Sequence, residues 1–276
     1  MTDYDQVSSA GHVLSAPDWL DVHLQAALPA YEAMLDVAGF SDGDFVLDAG
    51  SGSGSYLPLI RRRVGTGARL VAMDFAEENV ELLPQRFPDA PALLGSVLTL
   101  PFRTGAFDGV WCANVLQYFD DADVLVSLRE MARVVKRGGI VAVKDVDMTA
   151  LRISPAPPLL GAHLAEACIR GDDATVQSFG SLRGRELGGF LERSGLANVV
   201  QKVVPIEYRA PLSEAATSLW ADWLPYLAGL AIEKGVPDED FEVWRRVSTR
   251  QDAASFIAQP GFYACELQVV AVGRVA

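Results

Sequence analysis

The segment VLDAGSGSG at residues 46–54 has the residue types of a ligand-binding turn. A buried strand carries an acid, Asp48, near its end, and Gly50, Gly52 and Gly54 then open a helix. Glycines at these positions allow a sharp turn and a close ligand approach that a β-carbon would block, and the helix start offers free N–H groups. We therefore predict a binding crevice at this turn.

A second acid, Asp74, ends the strand-like segment RLVAMD, twenty residues after Gly54. A carboxylate at the end of the second strand is placed to accept hydrogen bonds from a ribose diol. The glycine spacing is GxGxG, whereas a dinucleotide fingerprint requires glycine at position 55, where this chain has Ser55. These residues favour an adenosyl ligand over a nucleotide diphosphate.

Strand-like and helical patterns alternate around this turn. An amphipathic helix begins at residue 17 and ends at Gly39. Strands are predicted at 44–49, 69–74, 92–97, 107–113, 140–146, 199–208 and 262–273, and helices at 55–64, 76–87, 121–137, 160–169, 184–194 and within 212–250. The repeated βαβ order predicts a parallel sheet covered on both faces.

The composition excludes several classes of partner. Acidic residues outnumber basic ones by 36 to 23, so the net charge of -13 repels nucleic acids and anionic membranes. The apolar runs are too short to span a bilayer. Secretory signals and transit peptides carry Lys or Arg, but no such residue precedes Arg61, so we expect no targeting segment. The three cysteines lie far apart, which fits a cytoplasmic protein. We expect a small-molecule partner; a homo-oligomer is compatible with the residues.

Five segments resemble the successive motifs of class I S-adenosylmethionine-dependent methyltransferases, and the pattern is most similar to the ubiquinone and menaquinone biosynthesis type. They are VLDAGSGSG, AMDF, GSVLTLPF, FDGVWCANVLQYFDD and VKRGGIVAV. The resemblance covers about residues 40–147. It implies an α/β fold with a Rossmann-like doubly wound sheet of seven strands, the last one antiparallel. The Pro-rich stretch at 155–158 with the helix after it, and the aromatic helical block within 212–250, predict helical lid insertions in this fold.

The sequence pattern, which changes after Asp147, predicts a domain organisation. We predict a single catalytic domain made of four parts. They are an N-terminal helical segment over the cofactor site (1–40), the cofactor-binding core (41–148), a lid insertion with a helix (149–196), and C-terminal strands with an aromatic helical insertion (197–276).

The cofactor-binding residues implied by the resemblance follow the ends of the first four strands. They are Asp48, Gly50, Ser51, Gly52, Asp74, Phe75, Ser96, Val97, Asn114, Leu116 and Gln117. Asp48 and the glycine backbone would hold the methionine part, Asp74 the ribose and Phe75 the adenine. The family usually has an acid where this chain has Ser96, and a neutral hydroxyl makes a weaker contact with the adenine amino group.

Few residues are candidates for a general base that would deprotonate the molecule to be methylated. His163 and Glu166 are three residues apart on the predicted lid helix and would share a face, and Asp145 closes the fifth strand. Alternatively, His163 and Glu166 form a solvated pair on an exposed helix, and Asp145 has a capping or loop role. His12 and His23 are expected at the surface.

Aromatic residues could wall an apolar acceptor pocket or form ordinary core. They are Tyr4, Trp19, Trp220, Trp223, Tyr226 and Trp244. The acceptor would be a small organic molecule methylated at carbon, oxygen or nitrogen, in quinone or specialised-metabolite biosynthesis. Asn114 and the apolar stretch after it offer no full set of acidic ligands, so we expect no metal. A non-methylating scaffold or regulator that binds S-adenosylmethionine, a repurposed enzyme and an NAD-dependent oxidoreductase are the alternatives.

Overall fold

A mixed sheet surrounded by helices makes up residues 17–276, the part of the chain described by this computed structural model. The strands of this part are β1 (Val46–Ala49), β2 (Leu70–Asp74), β3 (Ala92–Leu94), β4 (Phe107–Ala113), β5 (Val135–Ser154), β6 (Ala197–Arg209) and β7 (Tyr263–Arg274). Its helices are α1 (Pro17–Ala38), α2 (Leu57–Val64), α3 (Glu77–Arg86), α4 (Asp121–Val134), α5 (Leu160–Arg170), α6 (Val176–Gly180), α7 (Leu187–Arg193), α8 (Glu214–Lys234), α9 (Asp238–Arg246) and α10 (Arg250–Ile257). None of the helices between residues 17 and 276 combines the length and apolar character needed to cross a bilayer.

The sheet has the strand order β3-β2-β1-β4-β5-β7-β6 among the described residues. β1 lies inside the sheet and pairs in parallel with both β2 and β4. β7 runs antiparallel to its two neighbours, β5 and β6. The predicted doubly wound α/β sheet of seven strands with an antiparallel last strand is confirmed. Its strand order reverses beside β1, and ligands of such sheets bind at the carboxyl ends of the strands there.

Both faces of the sheet are buried. Val46 and Leu47 follow each other in β1, point to opposite faces and are both 0% exposed. Val46 packs in a cluster with side chains of α1, α2 and α8, whereas Leu47 packs with side chains of α4 and α7. Burial on both faces explains why β1 consists largely of apolar residues instead of alternating with polar ones.

β5 is longer than the sequence predicts. The strand expected to end at residue 146 continues to Ser154, because β7 is long enough to pair with it beyond a shift in register between Asp147 and Arg152. Asp145 and Asp147 interrupt the apolar pattern of the strand, so the sequence does not predict that the strand continues beyond them. α5 packs tightly on the extension, since a β-carbon on Gly161 would lie 2.4 Å from the carbonyl oxygen of Leu151. This contact sets α5 beside the cavity described next.

Candidate active site

A cavity of about 740 Å³ opens at the carboxyl ends of β1, β2 and β4. Its first part, the glycine-loop half, is lined by Gly50, Ser51, Gly52, Asp74, Phe75, Ser96, Val97, Asn114 and Gln117. Its second part, the aromatic half, is lined by Trp19, His23, Tyr31, Tyr56, Met148, Leu164, Trp223, Tyr226, Leu227, Glu266 and Gln268. Two molecules bound in the two halves would therefore meet in one continuous space.

The loop after β1 can be built only with glycine. Gly50 and Gly52 have φ values of 77° and 55°, a region that disfavours residues with a β-carbon. A β-carbon on Gly50 would lie 2.2 Å from Cγ2 of Val115, and one on Gly52 would lie 2.6 Å from Cδ1 of Leu20. The missing side chains let Val115 and Leu20 pack directly against the loop backbone, and both glycines line the cavity.

Asp74 ties the glycine loop to the start of α3. Its Oδ2 accepts a hydrogen bond from the Gly52 N–H (2.7 Å), and its Oδ1 accepts from the Ala76 N–H (2.9 Å) and from Asn79 Nδ2 (3.0 Å). A carboxylate can accept about four hydrogen bonds, and three are used here, so one acceptor site of Asp74 remains for a ligand hydroxyl. Asp74 is thus a structural brace and a candidate ligand contact at once.

Asp48 is a buried acid with an unused oxygen. The side chain is 2% exposed, and among residues 17–276 its Oδ2 has no hydrogen-bond partner. Burial, together with the charge of Asp74, raises the pKa of Asp48 to about 8. Asp48 itself is not part of the described cavity lining, but it lies in β1, two residues before the loop that lines the cavity. A cationic donor at this loop would satisfy the oxygen and restore the negative charge.

The other residues predicted to bind the cofactor are distributed along the same cavity, with one exception. Phe75 stands at the rim and is 62% exposed, and Ser96 and Val97 follow the end of β3. Asn114 takes a φ of 58°, and its carbonyl oxygen accepts a hydrogen bond from Gln117 Nε2 (3.2 Å). Leu116 is 2% exposed and packs in the core instead of lining the cavity.

The predicted catalytic residues lie outside the described lining of the cavity. His163 Nδ1 is 2.6 Å from Asp240 Oδ2 of α9, and Glu166 forms an exposed ion pair with Arg170. Asp145 is buried on β5, where burial raises its pKa to about 7. The catalytic assignments of His163, Glu166 and Asp145 therefore stay predictions without a contact to the cavity.

A group of metal-ligand atoms lies between α5 and α9. One ligand atom each from His163, Glu239 and Asp240 lies within 4.8 Å of the others. The His163 and Asp240 atoms are already joined by the hydrogen bond given above, which accounts for their closeness without an ion. The expected absence of a metal stays a prediction.

The predicted aromatic wall is divided between cavity and core. Trp19, Trp223 and Tyr226 line the cavity. Trp220 and Trp244 are 0% exposed and pack in the interior. Tyr4, like His12, lies outside the described residues.

The aromatic half contains a polar cluster that the sequence does not predict. His23 was expected at the surface, yet it is 8% exposed, with Nδ1 2.6 Å from the Tyr31 hydroxyl and Nε2 3.1 Å from Glu266 Oε1. Glu266 also accepts hydrogen bonds from Tyr208 and Gln268. Because 243 residues separate His23 from Glu266, no local motif could reveal the pair.

Residues 47–143 match a family model described as a methyltransferase domain. This segment runs from β1 into β5 and includes the glycine loop, Asp74 and Asn114. The match confirms the predicted resemblance to class I methyltransferases.

Two curated relatives are similar in sequence. One, from Streptomyces fradiae, is described as an uncharacterized 37.1 kDa protein in transposon TN4556 and is 32% identical over 184 residues, which cover 66% of this chain and 51% of that protein. The other is a 2-phytyl-1,4-naphtoquinone methyltransferase from Thermosynechococcus vestitus, 34% identical over 106 residues, which cover 37% of this chain and 46% of that protein. The chain spans about half the length of these relatives.

A solved structure from Bacillus halodurans, of a protein that carries a provisional methyltransferase name, has the same overall architecture. The two superpose with a TM-score of 0.55 over 89% of this chain and 98% of the other, at 14% sequence identity. At this identity the likeness establishes the shared fold.

Proposed function

We infer that this chain, whose residues 47–143 match a methyltransferase domain, binds S-adenosylmethionine and methylates a small, mainly apolar organic molecule. The continuous cavity carries this inference, because it joins the glycine loop to a pocket of aromatic and aliphatic side chains. A methyl donor and its acceptor must meet in one shielded space, and positioning supplies much of the rate of such a transfer.

The residues of the glycine-loop half fit this cofactor. The unused buried oxygen of Asp48 suits the cofactor's ammonium group, and the backbone of Gly50 and Gly52, which line the cavity, would border the methionine part. Asp74 would accept from the ribose hydroxyls, and Phe75 would cover the adenine. When bound, S-adenosylmethionine supplies a methyl group already activated by its sulfonium.

The aromatic half indicates the kind of acceptor. Small-molecule sites are mostly apolar and contain a few well-positioned polar groups. The aromatic half has this character, with apolar side chains such as Trp19, Trp223 and Leu227 around a few polar ones. The net charge of -13 disfavours a nucleic acid or an anionic membrane as the substrate. The naphthoquinone methyltransferase relative supports an aromatic or quinone-derived acceptor. We place the enzyme in cytoplasmic biosynthesis of a quinone or a specialised metabolite.

Calorimetry and a turnover assay test this function together. We expect the purified chain to bind S-adenosylmethionine and S-adenosylhomocysteine but not NAD, and to release S-adenosylhomocysteine with some aromatic or quinone-derived acceptor. Binding of NAD alone would refute the proposal. Cofactor binding without turnover across a broad acceptor panel would favour a scaffold or regulator that has lost transfer.

The raised pKa of Asp48 predicts pH-dependent cofactor binding. Below its pKa of about 8, the carboxyl is mostly protonated and cannot pair with an ammonium group. The affinity for S-adenosylmethionine should therefore rise by up to about tenfold between about pH 6 and about pH 7, before the cofactor's own amino group titrates. Calorimetric titrations at the two pH values measure this change. The Asp48→Asn variant should show a flat profile, and a flat profile in the wild type would contradict the assignment.

A carboxylate at position 96 should strengthen adenosyl binding. The Ser96 hydroxyl accepts a hydrogen bond from the Leu98 N–H at 3.2 Å, a turn that an aspartate can preserve. We expect Ser96→Asp to lower the Kd for S-adenosylhomocysteine by about 2- to 10-fold through a charged contact with the adenine amino group. Ser96→Asn, which has the same shape without the charge, is the matched control. An equal gain in both variants would show that shape, not charge, is responsible.

A further inference from the structure

Three side chains form one hydrogen-bonded line in the aromatic half of the cavity. Glu266 of β7 contacts His23 of α1, and His23 contacts Tyr31, at 3.1 and 2.6 Å. All three line the cavity and are at most 8% exposed. We propose that this line is a proton relay that takes the proton of a phenolic hydroxyl on the acceptor, whose oxygen is then methylated. The proposal rests on the function proposed above and names its substrate class.

The hydrogen-bond directions follow from the chemistry of the three groups. An ionised carboxylate can only accept, so the His23 Nε2–H donates to Glu266. In the neutral imidazole the other ring nitrogen, Nδ1, then carries the lone pair, and the Tyr31 hydroxyl donates to it. The Tyr31 oxygen keeps a lone pair for a donor from the cavity. Tyr31 is therefore the member of the relay that an acceptor hydroxyl would touch.

The charges around the relay suit this direction. Burial alone would raise the pKa of Glu266, but the hydrogen bond from His23 and the charge of the Lys144 ammonium hold it below its usual range, so Glu266 stays an ionised acceptor. Burial and the charge of Glu266 raise the pKa of Tyr31 far above its ordinary value, so Tyr31 keeps its own proton. Tyr31 acts as a bridge for a proton, and Glu266 stabilises the imidazolium that forms at its end.

The transfer step is balanced in atoms and charge. As the acceptor oxygen forms its bond to the methyl carbon, the carbon–sulfur bond breaks and its electron pair stays on sulfur. The acceptor proton passes to the Tyr31 oxygen while the proton of Tyr31 passes to His23 Nδ1. The products are the methyl ether, S-adenosylhomocysteine and an imidazolium beside Glu266, which later releases its proton to solvent.

Gln268 adds a second polar contact for the same acceptor. Its Nε2 donates to Glu266 Oε2 at 2.8 Å, which fixes the amide orientation, and its Oε1 is buried with no partner among residues 17–276. This oxygen belongs to a cavity residue that is 3% exposed, so a second donor on the ligand would satisfy it. The site fits an uncharged aromatic ring with a phenolic hydroxyl and room for one further N–H or O–H group.

Two probes separate a relay from a purely structural network without requiring turnover. The phenol 2-naphthol offers the hydroxyl proton and its ether 2-methoxynaphthalene does not, while both carry the same naphthalene ring. Excited 2-naphthol is a far stronger acid than the ground state and loses its proton partly to bulk water as well, so naphtholate emission in excess of that from the free probe reports a proton acceptor beside the bound molecule. Protein loaded with S-adenosylhomocysteine is titrated with each probe, using light that tryptophan does not absorb.

The wild type should bind 2-naphthol about tenfold more tightly than the ether and should show naphtholate emission. Tyr31→Phe keeps the ring that stacks on Tyr56 at 4.8 Å but should lose both the preference and the emission. Glu266→Gln, which alters a positioning residue, should lose the emission while the Tyr31 hydroxyl retains most of the preference. Tyr208→Phe is the matched control, because its hydroxyl binds the same Glu266 oxygen without lining the cavity as described, and it should keep both signals.

Each result decides one question. Equal binding of phenol and ether by the wild type, or an equal loss in Tyr31→Phe and Tyr208→Phe, would overturn the relay. Calorimetric binding of S-adenosylhomocysteine, measured on every variant, shows that the variant is folded. If the wild type itself fails to bind S-adenosylhomocysteine, the proposed function fails; if it binds but shows no hydroxyl preference, only the relay fails.

Discussion

Replacing Asp74 with alanine is expected to weaken S-adenosylmethionine binding by about 100-fold or more. The variant loses two kinds of interaction at once. It removes the charged acceptor for the ribose hydroxyls, each such bond being worth about 1.5 to 3 kcal/mol. It also releases the Gly52 N–H, the Ala76 N–H and the Asn79 amide, which the carboxylate now holds.

Calorimetric titration with S-adenosylmethionine measures this loss. Asp36→Ala is a suitable control, since Asp36 is an exposed acid paired with Arg63 on the surface. Because the charge of Asp74 contributes to the raised pKa of Asp48, the pH dependence of the remaining binding should also move to lower pH. A variant with nearly normal affinity would show that the ribose is held elsewhere.

Replacing Trp220 with alanine should lower the free energy of unfolding by about 3 to 5 kcal/mol. The side chain is 0% exposed, and its ring centroid lies 5.0 Å from that of Trp223 and 5.3 Å from that of Tyr208. Its indole N–H has no hydrogen-bond partner among the described residues, so the cost arises from lost packing and the cavity left behind.

Urea unfolding gives the size of this effect from the change in midpoint at constant slope. Trp223→Ala is the informative comparison, because Trp223 is 6% exposed and borders the cavity. We expect it to impair binding of 2-naphthol more strongly than Trp220→Ala does. If Trp220→Ala left stability intact and abolished probe binding, this part of the aromatic stripe would belong to the site and not to the core.

The sheet and the glycine-loop half could be predicted because their signals are local. Each strand of the core is a short apolar run, and the acids Asp48 and Asp74 lie within or at the end of such a run. In a doubly wound sheet the strand ends meet at one edge, so position along the chain already implies position in space. The antiparallel direction of β7, in contrast, is implied by the resemblance to class I methyltransferases and not by a local pattern.

The aromatic half could not be predicted in this way. Its polar cluster joins α1 to β7 across almost the whole chain, and neither His23 nor Glu266 stands in a recognisable motif. The helical spacing of His163 and Glu166 predicts that they share one face of α5, but spacing does not show which face of α5 packs against the sheet. In the structure His163 turns to Asp240 of α9, a partner 77 residues away.

The two halves of the cavity come from different stretches of the chain. The segment that matches the methyltransferase model supplies the glycine loop, whereas α1, α5, α8 and β7, which supply most of the aromatic half, lie outside it. Chimeras that exchange these outer stretches between related proteins could alter which molecules are accepted while the loop and its acids remain untouched. Under the proposed function, such a division would let the range of acceptors diversify while the residues that hold the methyl donor stay the same.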